Sequence, residues 1–268
     1  MELTVNGART FCYTGGKAFD AAKPTVVFIH GVLNDHSVWA LQTRYLANHG
    51  WNVVAVDLPG HCKSAGDAPK SVEEAAGFIV ALLDALEVER AALVGHSFGA
   101  LIALETAARA PERVTQLALV GVAYPMKVSP ALLENAQHQP MKAIHMVNVF
   151  SHSMLAPPPS GLGPGTWLYG GSRALMRRVL ASNRAVNVFH RGFVACDSYA
   201  GGDAAIGKVR CPVLFVLGKS DAMTPPKAAQ GLQQKAHDGR TVLVEGGHQM
   251  MLEAPDAVLF ALRDFLKP

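Results

Sequence analysis

From about Pro24 onward, short apolar runs alternate with longer amphipathic stretches. The runs Thr25-Val26-Val27-Phe28-Ile29, Val53-Val54-Ala55-Val56, Ala91-Ala92-Leu93-Val94, Val213-Leu214-Phe215-Val216-Leu217 and Val242-Leu243-Val244 each end in a polar or glycine-rich turn. Unbroken apolar runs of this length read as strands buried on both faces. The amphipathic stretches between them read as crossover helices, so the pattern predicts a doubly wound, mostly parallel α/β sheet. Ser71-Val72-Glu73-Glu74 is a capping box ahead of Ala75, Ile79, Leu82, Leu83 and Leu86 at helical spacing. Thr224-Pro225 reads as a cap followed by a first-turn proline. Pro255 opens a last helix with Val258, Leu259, Leu262, Phe265 and Leu266 on one face. The opening segment, Leu3 to Tyr13, alternates around Asn6-Gly7 and reads as an antiparallel hairpin at the sheet edge.

The alternation fails between Tyr124 and Gly207. A strand from Thr115 to Val122 precedes this stretch, and the next begins after Cys211-Pro212. The interval holds helical patches, many Met and aromatic residues, and the Pro-Gly-rich tract Pro157 to Gly165. A structureless loop this long does not suit a compact domain, so a helical lid inserted between strands is expected. The expected division is a core of residues 1–123 and 208–268 with a helical cap of residues 124–207.

One turn carries candidate chemistry. Gly95-His96-Ser97-Phe98-Gly99 joins a strand to a small-residue helix, Ala100 to Glu105. A Gly-x-Ser-x-Gly turn in that position strains the serine backbone and lifts its hydroxyl clear of the sheet. A serine hydroxyl is a weak nucleophile and needs a base, which in turn needs an orienting group. Asp221 and His248 also follow predicted strands, so all three residues fall on the carboxyl edge of a doubly wound sheet. The backbone N–H groups of Phe98, next after the serine, and of Val32, after His30-Gly31, are candidate oxyanion donors. Asp221 could instead cap the helix that begins near Pro225. Asp35 or Ser37 is the expected cap of the helix after the His30 loop, His30 reads as a residue that stabilises the oxyanion loop, and His61 and His96 read as loop-packing residues.

With these motifs the chain resembles the α/β-hydrolase fold family over nearly its whole length. It is most similar to small bacterial esterases and to haloperoxidase-like or ring-cleavage hydrolases. The resemblance implies the order serine–acid–histidine as Ser97, Asp221 and His248, and His30-Gly31 as the oxyanion loop. It also matches Asp57 to Ser64 with a family loop, except that Cys62 stands where the family usually has glycine. A serine at position 97 argues against haloalkane dehalogenases and epoxide hydrolases, which use aspartate there.

Composition narrows the setting. The chain has 268 residues, of which 50% are hydrophobic and 17% charged, with a formal charge of +3. A single large core is available. No basic stripe points to nucleic acid, and no run reaches the length of a membrane span. The opening residues lack a signal-peptide pattern, and Cys12, Cys62, Cys196 and Cys211 are too few and scattered for a disulfide framework. The expectation is a cytoplasmic monomer or homodimer acting on a small-molecule substrate. Neither a metal nor another cofactor is expected, because ligand spacings and dinucleotide or phosphate-loop fingerprints are missing.

Met146, Met154 and Trp167 in the lid are the expected substrate-binding residues of an apolar cleft. The lid is also net basic, with Lys142, Arg173, Arg177, Arg178, Arg184 and Arg191, which offers a lesser option of one arginine holding a substrate carboxylate. The reading that follows is a cofactor-free serine hydrolase cleaving a carboxylic ester. Thioester, lactone and carbon–carbon bond hydrolysis, perhydrolysis, and a slow-turnover small-ligand receptor remain alternatives on the same residues.

Overall fold

The computed structural model describes residues 1–20, 22–153 and 167–267. Eight strands form one sheet: β1 (Glu2–Val5), β2 (Ala8–Tyr13), β3 (Thr25–Ile29), β4 (Asn52–Val56), β5 (Ala91–His96), β6 (Val114–Val120), β7 (Val213–Gly218) and β8 (Gly239–Val244). Their order is β1-β2-β4-β3-β5-β6-β7-β8. β1 and β2 form the antiparallel hairpin, with Asn6 and Gly7 at φ 50° and 78° as a two-residue turn demands. β2 meets β4 antiparallel, and every pairing from β4 to β8 is parallel.

The helices are α1 (Ala40–Ala47), α2 (Val72–Ala85), α3 (Phe98–Arg109), α4 (Pro130–His138), α5 (Pro140–Ser151), α6 (Leu168–Ser182), α7 (Val188–Ser198), α8 (Gly202–Ile206), α9 (Gln230–Lys235), α10 (Met250–Glu253) and α11 (Pro255–Phe265). Strand periodicity sorts the core into two layers. Val27, Ile29, Leu93, Leu117, Leu119 and Phe215 face α2 and α3. Their neighbours Val26, Phe28, Ala92, Val94, Ala118 and Leu214 face the side of α10 and α11. β3, β4, β5 and β7 are buried on both faces, which is why their sequences show no alternation, whereas β8, read from its apolar run as buried, is an edge strand with Leu243 51% exposed.

Ser71 caps α2, its Oγ accepting from Glu74 N at 3.1 Å. The reciprocal bond comes from Lys70 N to Glu74 Oε2 at 2.8 Å, one residue earlier than a standard capping box. The expected cap at Thr224 is a correction. The short helical turn there spans Pro226–Ala229 behind Pro225, and the Thr224 hydroxyl is engaged elsewhere.

Helices α4 to α8 all lie between β6 and β7. Leu132, Ala136, Ile144, Val147, Met176, Val179, Phe189 and Phe193 form their own apolar cluster, which also takes in Leu33 from the loop after β3. Ala205 and Ile206 of α8 join the core layer of α3 instead. The Pro157 to Gly165 tract lies outside the described residues. No helix among the described residues is long and apolar enough to cross a membrane.

Candidate active site

Ser97 sits between β5 and α3 with φ 54° and ψ −117°, a backbone conformation that is strained for a residue with a side chain. The turn closes only because glycine flanks it. A Cβ on Gly95 would stand 2.1 Å from Gly99 O, and one on Gly99 would stand 2.3 Å from Ile29 O. Ser97 N donates to Val120 O at 2.9 Å, tying the turn to β6.

Asp221 follows β7 and His248 follows β8, so the register of the parallel strands brings both to the edge that carries Ser97. His248 Nδ1 donates to Asp221 Oδ2 at 2.9 Å, with both side chains almost wholly buried. Asp221 Oδ1 accepts from the backbone N–H groups of Met223 (2.9 Å) and Thr224 (2.7 Å). Burial raises the Asp221 pKa, but the His248 charge and the bonds from His248 and Thr224 outweigh it. The net result is a carboxyl held below its ordinary range. With Nδ1 engaged, His248 keeps Nε2 for proton transfer, and that nitrogen makes no hydrogen bond among the described residues. Ser97 Oγ makes no hydrogen bond to His248 in this structure, although both side chains border the same cavity. Such contacts are often long before substrate binds.

Sequence reasoning missed Thr224. Its hydroxyl lies 2.7 Å from Asp221 Oδ2, 2.9 Å from the Gly121 carbonyl and 3.0 Å from His248 Nδ1. The Thr-Pro pair looks like a local cap, and only the approach of β6 and the His248 loop gives it these partners.

Among the described residues, neither Val32 N–H nor Phe98 N–H donates a hydrogen bond, so both candidate oxyanion donors are free. The Val32 loop is held from below. His30 Nδ1 donates to Gly31 O at 2.9 Å, and Leu58 N donates to His30 Nε2 at 3.1 Å. Burial drives the His30 pKa down, as it does for His61, at about 4, and His96, at about 3. Asp35 caps the turn His36–Trp39 through Ser37 N at 2.9 Å.

A cavity of about 240 Å³ opens over Ser97 and His248. Met126, Val128, Leu132, Phe150, Phe193 and Met223 line it. The expected substrate contacts are placed elsewhere. Met146 packs into the helical cluster with its sulfur 3.6 Å from Asn135 Nδ2. On α5 it is Val147, Phe150 and Ser151 that border the spaces at Ser97, and Met146, one turn before Phe150, is not among their lining residues. Trp167 is 65% exposed and borders a separate cavity with Leu168, Arg178 and Leu252. Met154 lies outside the described residues. Of the basic lid residues, Arg178 is engaged with a carboxylate of the chain itself, its Nη2 2.7 Å from Asp35 Oδ2, and it borders the cavity at Trp167.

Cys62, in the place of the usual glycine, has φ 46°, the left-handed region that favours glycine. Its N–H donates to Ser182 Oγ at 2.9 Å, and its thiol lies 3.4 Å from Asp35 Oδ2. Ser182 and Arg178 both belong to α6. The departure therefore sits where the inserted helices grip the loops of the sheet.

A doubly wound sheet, a serine on a strained strand–helix turn and a buried histidine–carboxylate pair on the same edge define the class as a hydrolase built on this sheet. The sequence agrees: residues 26–261 match the model of the alpha/beta hydrolase family, and the chain belongs to that family. It is 30% identical over 270 residues to the pimeloyl-[acyl-carrier protein] methyl ester esterase of Neisseria meningitidis, covering 94% of this chain and 96% of that one. It is 28% identical to a dihydrolipoyllysine-residue acetyltransferase component of the acetoin cleaving system from Pseudomonas putida, over 90% of this chain. The match spans 63% of that relative's length, and 26% of the Cupriavidus necator counterpart. Among solved structures, the enol-lactonase of Burkholderia xenovorans LB400 superposes with a TM-score of 0.81 over 99% of both chains at 23% identity, a likeness of fold.

Proposed function

We propose that this hydrolase cleaves a carboxylic ester through Ser97, His248 and Asp221, with an acyl-enzyme intermediate. The observation that carries the reading is the buried 2.9 Å His248–Asp221 pair on the edge that presents Ser97. In this mechanism Ser97 Oγ attacks the carbonyl carbon while His248 Nε2 takes its proton. Asp221 holds the imidazole tautomer and stabilises its charged form. The oxyanion is received by Val32 N–H and Phe98 N–H, a contribution of about 2.7–4 kcal/mol per donor in comparable sites. His248 then protonates the leaving alcohol. Water, activated by the same nitrogen, releases the acid.

Helices α4 to α7 act as the cap of this site, and the cavity they line sets the acyl group. An ester is favoured over the thioester, lactone, carbon–carbon and perhydrolysis alternatives because the relative 30% identical along nearly its whole length is an ester hydrolase by name. A fluorophosphonate probe tests the reading. It is expected to add covalently at Ser97, located by peptide mass spectrometry, and Ser97→Ala is expected to lose esterase activity. Labelling at another residue, or full activity in Ser97→Ala, overturns it.

A further inference from the structure

Ser97 and His248 border a second, smaller compartment besides the apolar cavity. It lies beneath α5 and has a volume of about 20 Å³, room for a group about the size of a water molecule or a methyl. Phe193 and Met223 also line both spaces, so an ester with its carbonyl at Ser97 extends one arm into each.

The two spaces differ in chemistry. The larger is walled mainly by methionine, leucine and phenylalanine side chains. The smaller is bordered by Asn34, Ser151 and Gln249, together with Val147 and Met176. Asn34 is 3% exposed and Gln249 4%. Gln249 Oε1 is buried without a partner, and the Asn34 carboxamide has no side-chain hydrogen bond among the described residues. The Ser151 hydroxyl has only the Met223 sulfur, at 3.5 Å. A buried amide oxygen without a partner is costly, and an occupant that hydrogen-bonds removes that cost.

We infer that this compartment is the alcohol and water subsite, and that the substrates are esters of the shortest alcohol, methyl, with a longer apolar acyl chain. This rests on the serine-hydrolase reading above. Of the two arms of an ester, only the leaving arm ends as a hydroxyl. The C–O bond to the alkoxy group breaks, and the proton that His248 took from Ser97 goes to that oxygen. The alcohol so formed donates and accepts, as Asn34, Ser151 and Gln249 require. A water then takes its place, gives a proton to His248 and attacks the acyl carbon. The Ser97 Oγ–carbon bond breaks, and Ser97 recovers its proton. A short acyl group in the same space would present only a methyl to the amides.

Two isomeric esters test this with the unaltered protein: methyl heptanoate and hexyl acetate, equal in composition and opposite in which arm is long. The methyl ester is expected to show a kcat/KM higher by at least about 10-fold, the scale on which a small pocket discriminates. Asn34→Ala and Gln249→Ala, which enlarge the compartment, are expected to narrow the preference for methyl over butyl heptanoate. Hydrolysis through Ser97 with no preference, or with hexyl acetate preferred, overturns the assignment and leaves the hydrolase reading standing. An unchanged methyl-to-butyl ratio in both folded variants overturns the role of the amides. Absence of Ser97-dependent hydrolysis of either isomer overturns both the subsite and the reading on which it rests.

Discussion

His96 Nε2 donates a 2.9 Å hydrogen bond to the backbone carbonyl of His248, and the two rings lie 4.7 Å apart. The residue before the candidate nucleophile therefore holds the backbone of the candidate base, across 152 positions of sequence. Burial keeps His96 neutral, with its pKa at about 3, so it acts as a fixed donor and not as a titrating group.

Removing that donor is expected to lower kcat more than KM. His96→Ala should cost about 10²-fold in kcat, the scale of a small misplacement of a reacting group. Because His96 stays uncharged above about pH 3, the acid limb of kcat/KM in a folded variant should keep its midpoint. A midpoint that moves with the substitution would show that His96 itself titrates in the working range.

Asp221→Asn is expected to fold and to lose about 10⁴-fold in kcat, through the wrong imidazole tautomer. Thr224→Val should give a smaller loss. It removes a hydroxyl bonded to a carboxylate, a contact worth about 1.5–3 kcal/mol. Kinetics and thermal melting on both variants separate the roles. Near-normal turnover in Asp221→Asn would leave Asp221 as the anchor of a turn and nothing more.

Acid stability should depend on Asp35. Its carboxyl is almost wholly buried. Burial raises its pKa, but bonds from Ser37 and Arg178 outweigh that and hold it well below the usual carboxylate range. A folded-state pKa below the unfolded one contributes stability that is present above the ordinary value of 3.8 and lost as pH falls toward the folded one. Asp35→Asn should therefore melt lower than the parent at neutral pH, with the difference shrinking below that value. A difference that is constant across acid pH would argue that packing, not charge, accounts for it.

Cys62 offers a comparison of backbone against side chain. Cys62→Gly relieves a left-handed conformation that costs a non-glycine residue roughly 1–2 kcal/mol, while Cys62→Ala keeps that cost and loses the thiol contact. Glycine is expected to melt higher than alanine, and the order of their melting temperatures is the check. Burial and the nearby Asp35 carboxylate push the thiol up to about 12, so slow alkylation by iodoacetamide at neutral pH is also expected.

The outer cavity should control acyl length. Leu132→Ala and Phe150→Ala enlarge it and are expected to shift preference toward longer chains by about 10- to 200-fold in kcat/KM ratios. Met146→Ala, away from the cavity lining, should leave the chain-length profile unchanged. A profile shifted by Met146→Ala and untouched by the other two would reverse that assignment.

The strands, the hairpin and the serine turn were legible in the chain because each is a local matter. Double-sided burial writes an unbroken apolar run, and Gly95 and Gly99 are the only side chains small enough for their turn. The order of Ser97, Asp221 and His248 was legible too, since each follows a strand and parallel strands end on one edge. What surrounds them was decided by tertiary packing. A methionine on a helix reads the same whether it faces a cavity or a neighbouring helix. The seating of α5 between α4 and α6 brings Val147, Phe150 and Ser151 to the spaces at Ser97 and leaves Met146 against Asn135. Thr224 carries a cap-like sequence, yet its partners Gly121 and His248 come from other loops. Cys62 looked like a departure without a reason until α6 supplied Ser182 and Arg178 around it. Hydrophobic period records which face of an element is buried, but not which element it meets.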